Sequence, residues 1–435
     1  MVHGDGDLAK AVRATPHEAE NPRVRLRNQL ILFGNMSFFS LGYNVISPVT
    51  IMPVFVSFLT GSNVIIGLVP AIEALGFALP QLFGARYYER LPYKAFYMWR
   101  VNVSGRLLLA SYGVMVIFWA DDHRGLMLVG FFLFLLMFRG GIGFQSPAFS
   151  DVLAKVVSVR RRSRFIAITF TVGGAVGAAA AAVVSGFLGR DAFPVGFGFL
   201  FLFAGLYLAA VNTSMLLLKE PPSENTDRPL ESIYRVLGRV PRVLGSDPAF
   251  LRYVIGRTLI GWGLLAMSFL AVYAVRDFGA TPADVGVYTA VLLASQTGAT
   301  LFWGFLADRV TSTIVPTLGG MLGVAALALV LIAPSNGVFI ISFLLVGTGY
   351  GAVRFSDFAV MIDIAPRDQI SNYAAVFAVS TTPLLVPAAL IAGLVADAGG
   401  YAPMLVAMLL LTVAGSVFMV FSTIRYAGRP ARTDG

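Results

Sequence analysis

The chain has 435 residues, is 57% hydrophobic and only 13% charged, and carries a net charge of +9 with no cysteine. Soluble domains carry about 25% charged residues, and a mean hydropathy of +0.78 excludes a water-soluble globular protein. Lack of cysteine excludes disulfides, thiol nucleophiles and thiolate metal sites. The three histidines, His3, His17 and His123, lie in the tail or near a segment end, which argues against a histidine metal site. The apolar runs are continuous rather than alternating, so the class is all-α integral membrane and not a β-barrel. The length suits about twelve spans of roughly 20 residues.

Residues 1–28 are expected to form a disordered polar tail, which ends in Arg23, Arg25 and Arg27 and has no apolar signal-peptide core. The first apolar segment is therefore expected to remain as a span. Span 1, near 29–58, carries Asn35, Tyr43, Asn44, Pro48 and Pro53, and its two prolines predict a kinked helix. Span 2 (64–86) holds Glu73 near its middle; spans 3 (95–119) and 4 (125–148) hold Arg106 and Arg139. A basic loop, Lys155 to Arg164, precedes span 5 (165–188) with its small-residue run from Gly173 to Ala182; span 6 follows at 194–218.

The polar interval 219–249 separates two halves, 29–218 and 250–425, and residues 426–435 form a second tail. Within it, Leu230, Ile233, Leu237, Val240 and Leu244 recur at helical spacing with Arg235, Arg239 and Arg242 between them. One reading is a short amphipathic helix on the membrane surface, ended early by Pro241. The other is a solvated connector with some helix.

Spans 7 to 12 fall near 250–275, 284–307, 314–333, 338–363, 371–396 and 402–425. They repeat the first six. Gly141 and Gly143 of span 4 match Gly349 and Gly351 of span 10 at an offset of 208, and Phe165 matches Tyr373 at the same offset. The loops after spans 2, 4, 8 and 10 hold ten lysines and arginines, against three (Arg124, Arg190 and Arg276) in the opposite loops. That bias places both termini and the central interval in the cytoplasm and the chain in the cytoplasmic membrane. It also accounts for the basic charge without a nucleic-acid partner.

Charges inside spans are functional candidates. Glu73 has no other charge within ten residues in its own span. A carboxyl group away from water can load and release protons; the competing reading is a structural bridge to another span. Arg354 and Asp357, three apart in span 10, share a helix face and could pair with each other or line a cavity. Arg257 lies close enough to the cytoplasmic end of span 7 to snorkel or to contact substrate. Arg106 is expected to bridge within the first half.

After span 8 comes Gly304-Phe305-Leu306-Ala307-Asp308-Arg309; after span 2 comes the degenerate copy Ala85 to Lys94, with Glu89 and Arg90 at the Asp-Arg positions. Twelve spans in two repeated halves, with this turn placed alike in both, resemble the major facilitator superfamily. The resemblance covers roughly residues 29–425. It implies two pseudo-symmetric six-helix bundles and a secondary transporter working by alternating access on a small organic solute. It also implies that Glu89, Arg90, Lys94, Gly304, Asp308 and Arg309 form a cytoplasmic latch, in which a carboxylate caps a neighbouring helix N-terminus. The copies depart from the motif: Thr311, Ser312 and Thr313 stand where basic residues are usual, and Ala85 replaces the first glycine. Arg139, just before Gly141 and Gly143, sits where such proteins often carry a deep arginine. Tyr43, Asn44, Trp262, Tyr273, Gln296, Asn372 and Tyr373 fall on the spans that line the family's cavity. Gly173 and Gly177 resemble the family's antiporter motif, but Ala178 replaces its proline, and tight packing also explains such a run.

The expected partners are the substrate, protons and the bilayer; a monomer without cofactor or metal is expected. Export is favoured over uptake, since no sugar- or peptide-uptake signature is present. An integral-membrane enzyme would need clustered carboxylates or a histidine constellation, and Asp121-Asp122 beside His123 is too little. A solute receptor would need a sizeable signalling domain.

Overall fold

The computed structural model describes residues 21–188, 193–223, 233–307, 309, 314–365 and 369–427. Among them are sixteen α-helices. Eleven segments are long and apolar enough to cross a membrane. The twelfth span is broken into α1 (Pro22–Val45) and α2 (Ile51–Leu59). The break lies at Pro48, where the Thr50 hydroxyl donates to Ser47 Oγ and Met52 N to the Ser47 carbonyl. Turn hydrogen bonds of the backbone itself, with Thr50 N also donating to the Ser47 carbonyl, thus re-satisfy the chain that proline interrupts.

The first half continues with α3 (Asn63–Glu89), α4 (Ala95–Trp119), α5 (Arg124–Val156), α6 (Val159–Phe187) and α7 (Val195–Thr213). Helix α5 runs eight residues past the predicted end of span 4, and α6 starts three residues later. The expected basic loop is therefore mostly helical. The interval between the halves contains α8 (Ile233–Ser246), with Pro241 inside the helix rather than ending it. The second half comprises α9 (Pro248–Leu264), α10 (Ala266–Phe278), α11 (Pro282–Ala307), α12 (Ile314–Ile332), α13 (Asn336–Ile364), α14 (Ile370–Thr381), α15 (Leu385–Gly399) and α16 (Tyr401–Ala427). Helices α9 and α10 make span 7; α14 and α15, parted at Pro383, make span 11.

Contacts divide the chain into two units. Unit 1 is Met1–Thr60 with Leu75–Leu230, and unit 2 is Gly61–Ala74 with Glu231–Gly435. Helix α3 therefore belongs to both. In unit 1, α4 packs on α5 and α7, and α1 on α6. The core there is aromatic: the Phe55 ring lies within 6.2 Å of Tyr112, Phe131, Phe193, Phe197 and Phe201. In unit 2, α9 packs on α16, and α13 on α11 and α12.

The second glycine of each echoed pair has one explanation in both units. A methyl group on Gly143 of α5 would collide with the Phe77 carbonyl of α3, and one on Gly351 of α13 would sit 2.9 Å from the Gln296 carbonyl of α11. Each half uses glycine to bring its fourth span onto its second, because only a missing side chain permits such close approach.

Candidate functional site

In unit 2 the central feature is an ion pair. Arg257 on α9 donates from Nε to Asp357 Oδ1 at 2.6 Å and from Nη2 to Oδ2 at 2.9 Å. The two parallel bonds match the planar guanidinium to the carboxylate. Side-chain exposures are 15% and 26%, so the pair is sheltered but reachable. Arg257 does not snorkel. Arg354, for which pairing with Asp357 is one of two readings of the sequence, lies exposed with its guanidinium 6.0 Å from the Tyr350 ring. The Tyr253 hydroxyl, one turn before Arg257, and Trp262 Nε1 are both buried without a hydrogen-bond partner.

Glu73 is 9% exposed, in the part of α3 that groups with unit 2. Gln296 is half-buried on α11. Tyr373 is buried 4.7 Å from the Phe250 ring. Tyr273 belongs to an aromatic cluster with Phe278, Phe339 and Tyr401. The Asn372 side chain lies outside the described residues.

In unit 1, arginines and aromatic rings alternate. The Arg139 guanidinium lies 5.7 Å from the Tyr43 ring and 5.2 Å from Phe77. Tyr43 stacks on Phe39 and Phe138, and Arg106, 3% exposed, lies 5.8 Å from Phe39. Cation–π attraction strengthens away from water. Both guanidiniums are thus framed by flat apolar rings. Asn44 packs where Gly177 leaves room and Ser40 against Gly173, so the small-residue run of span 5 makes a close α1–α6 contact.

Of the residues expected to form a latch, Gly304 lies in the last turn of α11, and Arg90 and Arg309 are exposed. Glu89 Oε2 is buried without a hydrogen-bond partner. Asp308 lies outside the described residues. Lys94 is engaged within unit 1: its Nζ meets Asp151 at 2.7 Å. Its backbone N–H and that of Ala95 donate to Glu220 Oε2, each at 2.7 Å. Glu220, fully buried, also pairs with Lys155 at 2.7 Å. Sequence reasoning passed over Glu220; its signal was a lone acid between Lys219 and Pro221 at the end of span 6.

The sequence profile of the Major Facilitator Superfamily matches residues 32–384. The chain belongs to the major facilitator superfamily. Solved structures agree in fold. A POT family transporter in complex with 5-aminolevulinic acid superposes with a TM-score of 0.69 at 13% identity, over 92% of this chain and 96% of that one. A bacterial homologue of the human lysosomal transporter Spinster, inward-facing and occupied, gives 0.62 at 17% identity over 96% and 100%. The nucleoside transporter NupG gives 0.60 at 14% over 93% and 99%. No curated protein matches the sequence. This major facilitator chain is a multi-pass membrane transporter with the superfamily's twelve-span fold in two six-helix bundles.

Proposed function

We propose that this major facilitator protein is a proton-coupled secondary transporter that moves a small organic solute across the cytoplasmic membrane by alternating access, in the direction of export. The observation that carries the coupling is the bidentate Arg257–Asp357 pair, a carboxylate both neutralised and reachable. A proton arriving on Asp357 releases Arg257, and an acidic solute group competes for the same guanidinium. Glu73 is the second proton carrier, buried in an apolar helix. The aromatic rings around Arg139 favour flat or lipophilic solutes and support export over nutrient uptake.

The test begins with a thermal-shift screen of small organic compounds on purified protein. Stabilisation by hydrophilic nutrients alone rejects export. The solute found is then loaded into liposomes. Glu73→Gln or Asp357→Asn is expected to abolish transport driven by a pH gradient while sparing solute counterflow. If both variants keep gradient-driven transport, proton coupling through these groups is wrong.

A further inference from the structure

The first N–H groups of helix α3 are met by a residue far along the chain. Asp397, in the last turn of α15, reaches them: Oδ1 accepts from Asn63 N at 2.6 Å, and Oδ2 from Val64 N at 3.2 Å and Ser62 Oγ at 2.9 Å. A carboxylate at a helix N-terminus satisfies orphan N–H groups and meets the positive end of the helix dipole. A second set of bonds closes around the same turn. Arg276, near the end of α10, donates from Nη1 to the Gly61 carbonyl at 3.1 Å, to Asn63 Oδ1 at 3.1 Å and to the Tyr401 hydroxyl at 3.3 Å. Tyr401 donates to Asn63 Oδ1 at 2.7 Å.

Packing beneath is equally close. A methyl group on Gly393 would sit 2.5 Å from the Asn63 carbonyl oxygen and 2.6 Å from Val64 Cα; one on Gly67 would sit 2.5 Å from the Ala389 carbonyl oxygen. These bonds and contacts explain why Gly61–Ala74 groups with unit 2 although the rest of the helix, from Leu75, groups with unit 1. A continuous helix shared by two bodies must give way if they part at this end. Either α3 bends, or the bonds at Asn63 open.

We propose that Asp397, with Arg276 and Tyr401, is a gate clasp. It holds the first turns of α3 and must release them each time the transporter opens at the end where α3 begins. The proposal rests on the alternating-access reading, to which it adds the gate residues. A carboxylate in a cradle of N–H and O–H donors is well suited to the task. The bonds are short and directional, and once broken both the acid and the helix end can be taken over by water.

The absence of native cysteine makes a single introduced thiol a clean reporter. Ala71 is 2% exposed and four residues from Gly67, on the same helix face. In Ala71→Cys protein, a membrane-impermeant maleimide is added on the side where α3 begins. Adding Asp397→Asn is expected to raise the labelling rate about tenfold, because the charge-assisted cap no longer opposes opening. The milder Ser62→Ala, which removes one bond, is expected to raise it about twofold and keeps the test alive if Asp397→Asn misfolds. Unchanged labelling in variants that keep the parent melting temperature overturns the clasp. It leaves the transport reading standing, since solute flux through the unsubstituted protein is a separate measurement.

Discussion

Arg257 and Asp357 are worth most to each other when both are present. Taking two charges out of water is costly, and mutual attraction repays the cost only with good geometry. The two parallel bonds of 2.6 and 2.9 Å supply it. Arg257→Gln leaves a carboxylate without its partner, and complete burial would make that cost about 3–5 kcal/mol. Asp357 keeps 26% of its surface, so the loss is expected nearer about 2 kcal/mol. Arg257→Gln with Asp357→Asn together is expected to recover most of it, because two amides can bond without charge. Melting temperatures of the single and double variants check this; a double variant no more stable than Arg257→Gln would mean that the pair is not the unit. The charged residues themselves were legible, since arginine and aspartate stand out in apolar runs. Their pairing was not. Helical spacing joins Arg354 to Asp357, whereas the guanidinium that reaches it lies one hundred positions away, on a helix whose rotation no local pattern fixes.

Among the elements, α4 shows how a helix end can depend on a distant residue. Its first free N–H groups are capped by Glu220, which arrives from beyond α7. Around that cap Lys94, Asp151 and Lys155 alternate in sign. Asn28 holds the adjoining Lys219 backbone on both sides, donating to its carbonyl at 2.7 Å and accepting from its N–H at 3.0 Å. The start of the interval between the halves is thus fastened to unit 1. Glu220→Ala leaves Lys155 short of a partner and two buried N–H groups unmet. The expected cost is about 3–5 kcal/mol, visible as a lower melting temperature and less folded protein. Glu220→Gln, which keeps an acceptor, is expected to lose less than half of that. Equal stability of the alanine variant and the parent would deny the cap any role. Most span positions could be read from hydropathy to within a few residues, but α1 already begins at Pro22, seven residues inside the expected tail, where Asn21 caps it. The α5 extension could not, because Lys155 reads as loop until its pairing with Glu220, 65 positions along the chain, is seen beside the one-turn pair with Asp151. Pro241 likewise marks an end by local rules but sits inside α8.

For the molecule as a whole, repetition was the most informative signal. Gly141 with Gly143, and Gly349 with Gly351, stand at equal spacing because the fourth span of each half must press against its neighbours. Close packing demands glycine at Gly143, Gly349 and Gly351, whereas Gly141 has room for a methyl group. The same symmetry makes orientation a single binary choice, since one loop placed correctly places all the others. The lysine and arginine bias predicts the loop at Arg90 in the cytoplasm and the turn at Asp121 outside. Both side chains are exposed, and with no native cysteine to interfere each can be replaced by cysteine in turn. Asp121→Cys is expected to react with an impermeant maleimide in intact cells, and Arg90→Cys only in inside-out vesicles. The reverse pattern would turn the whole chain over. The basic interval between the halves would then face outward, and the Asp397 clasp would guard the cytoplasmic mouth instead of the external one.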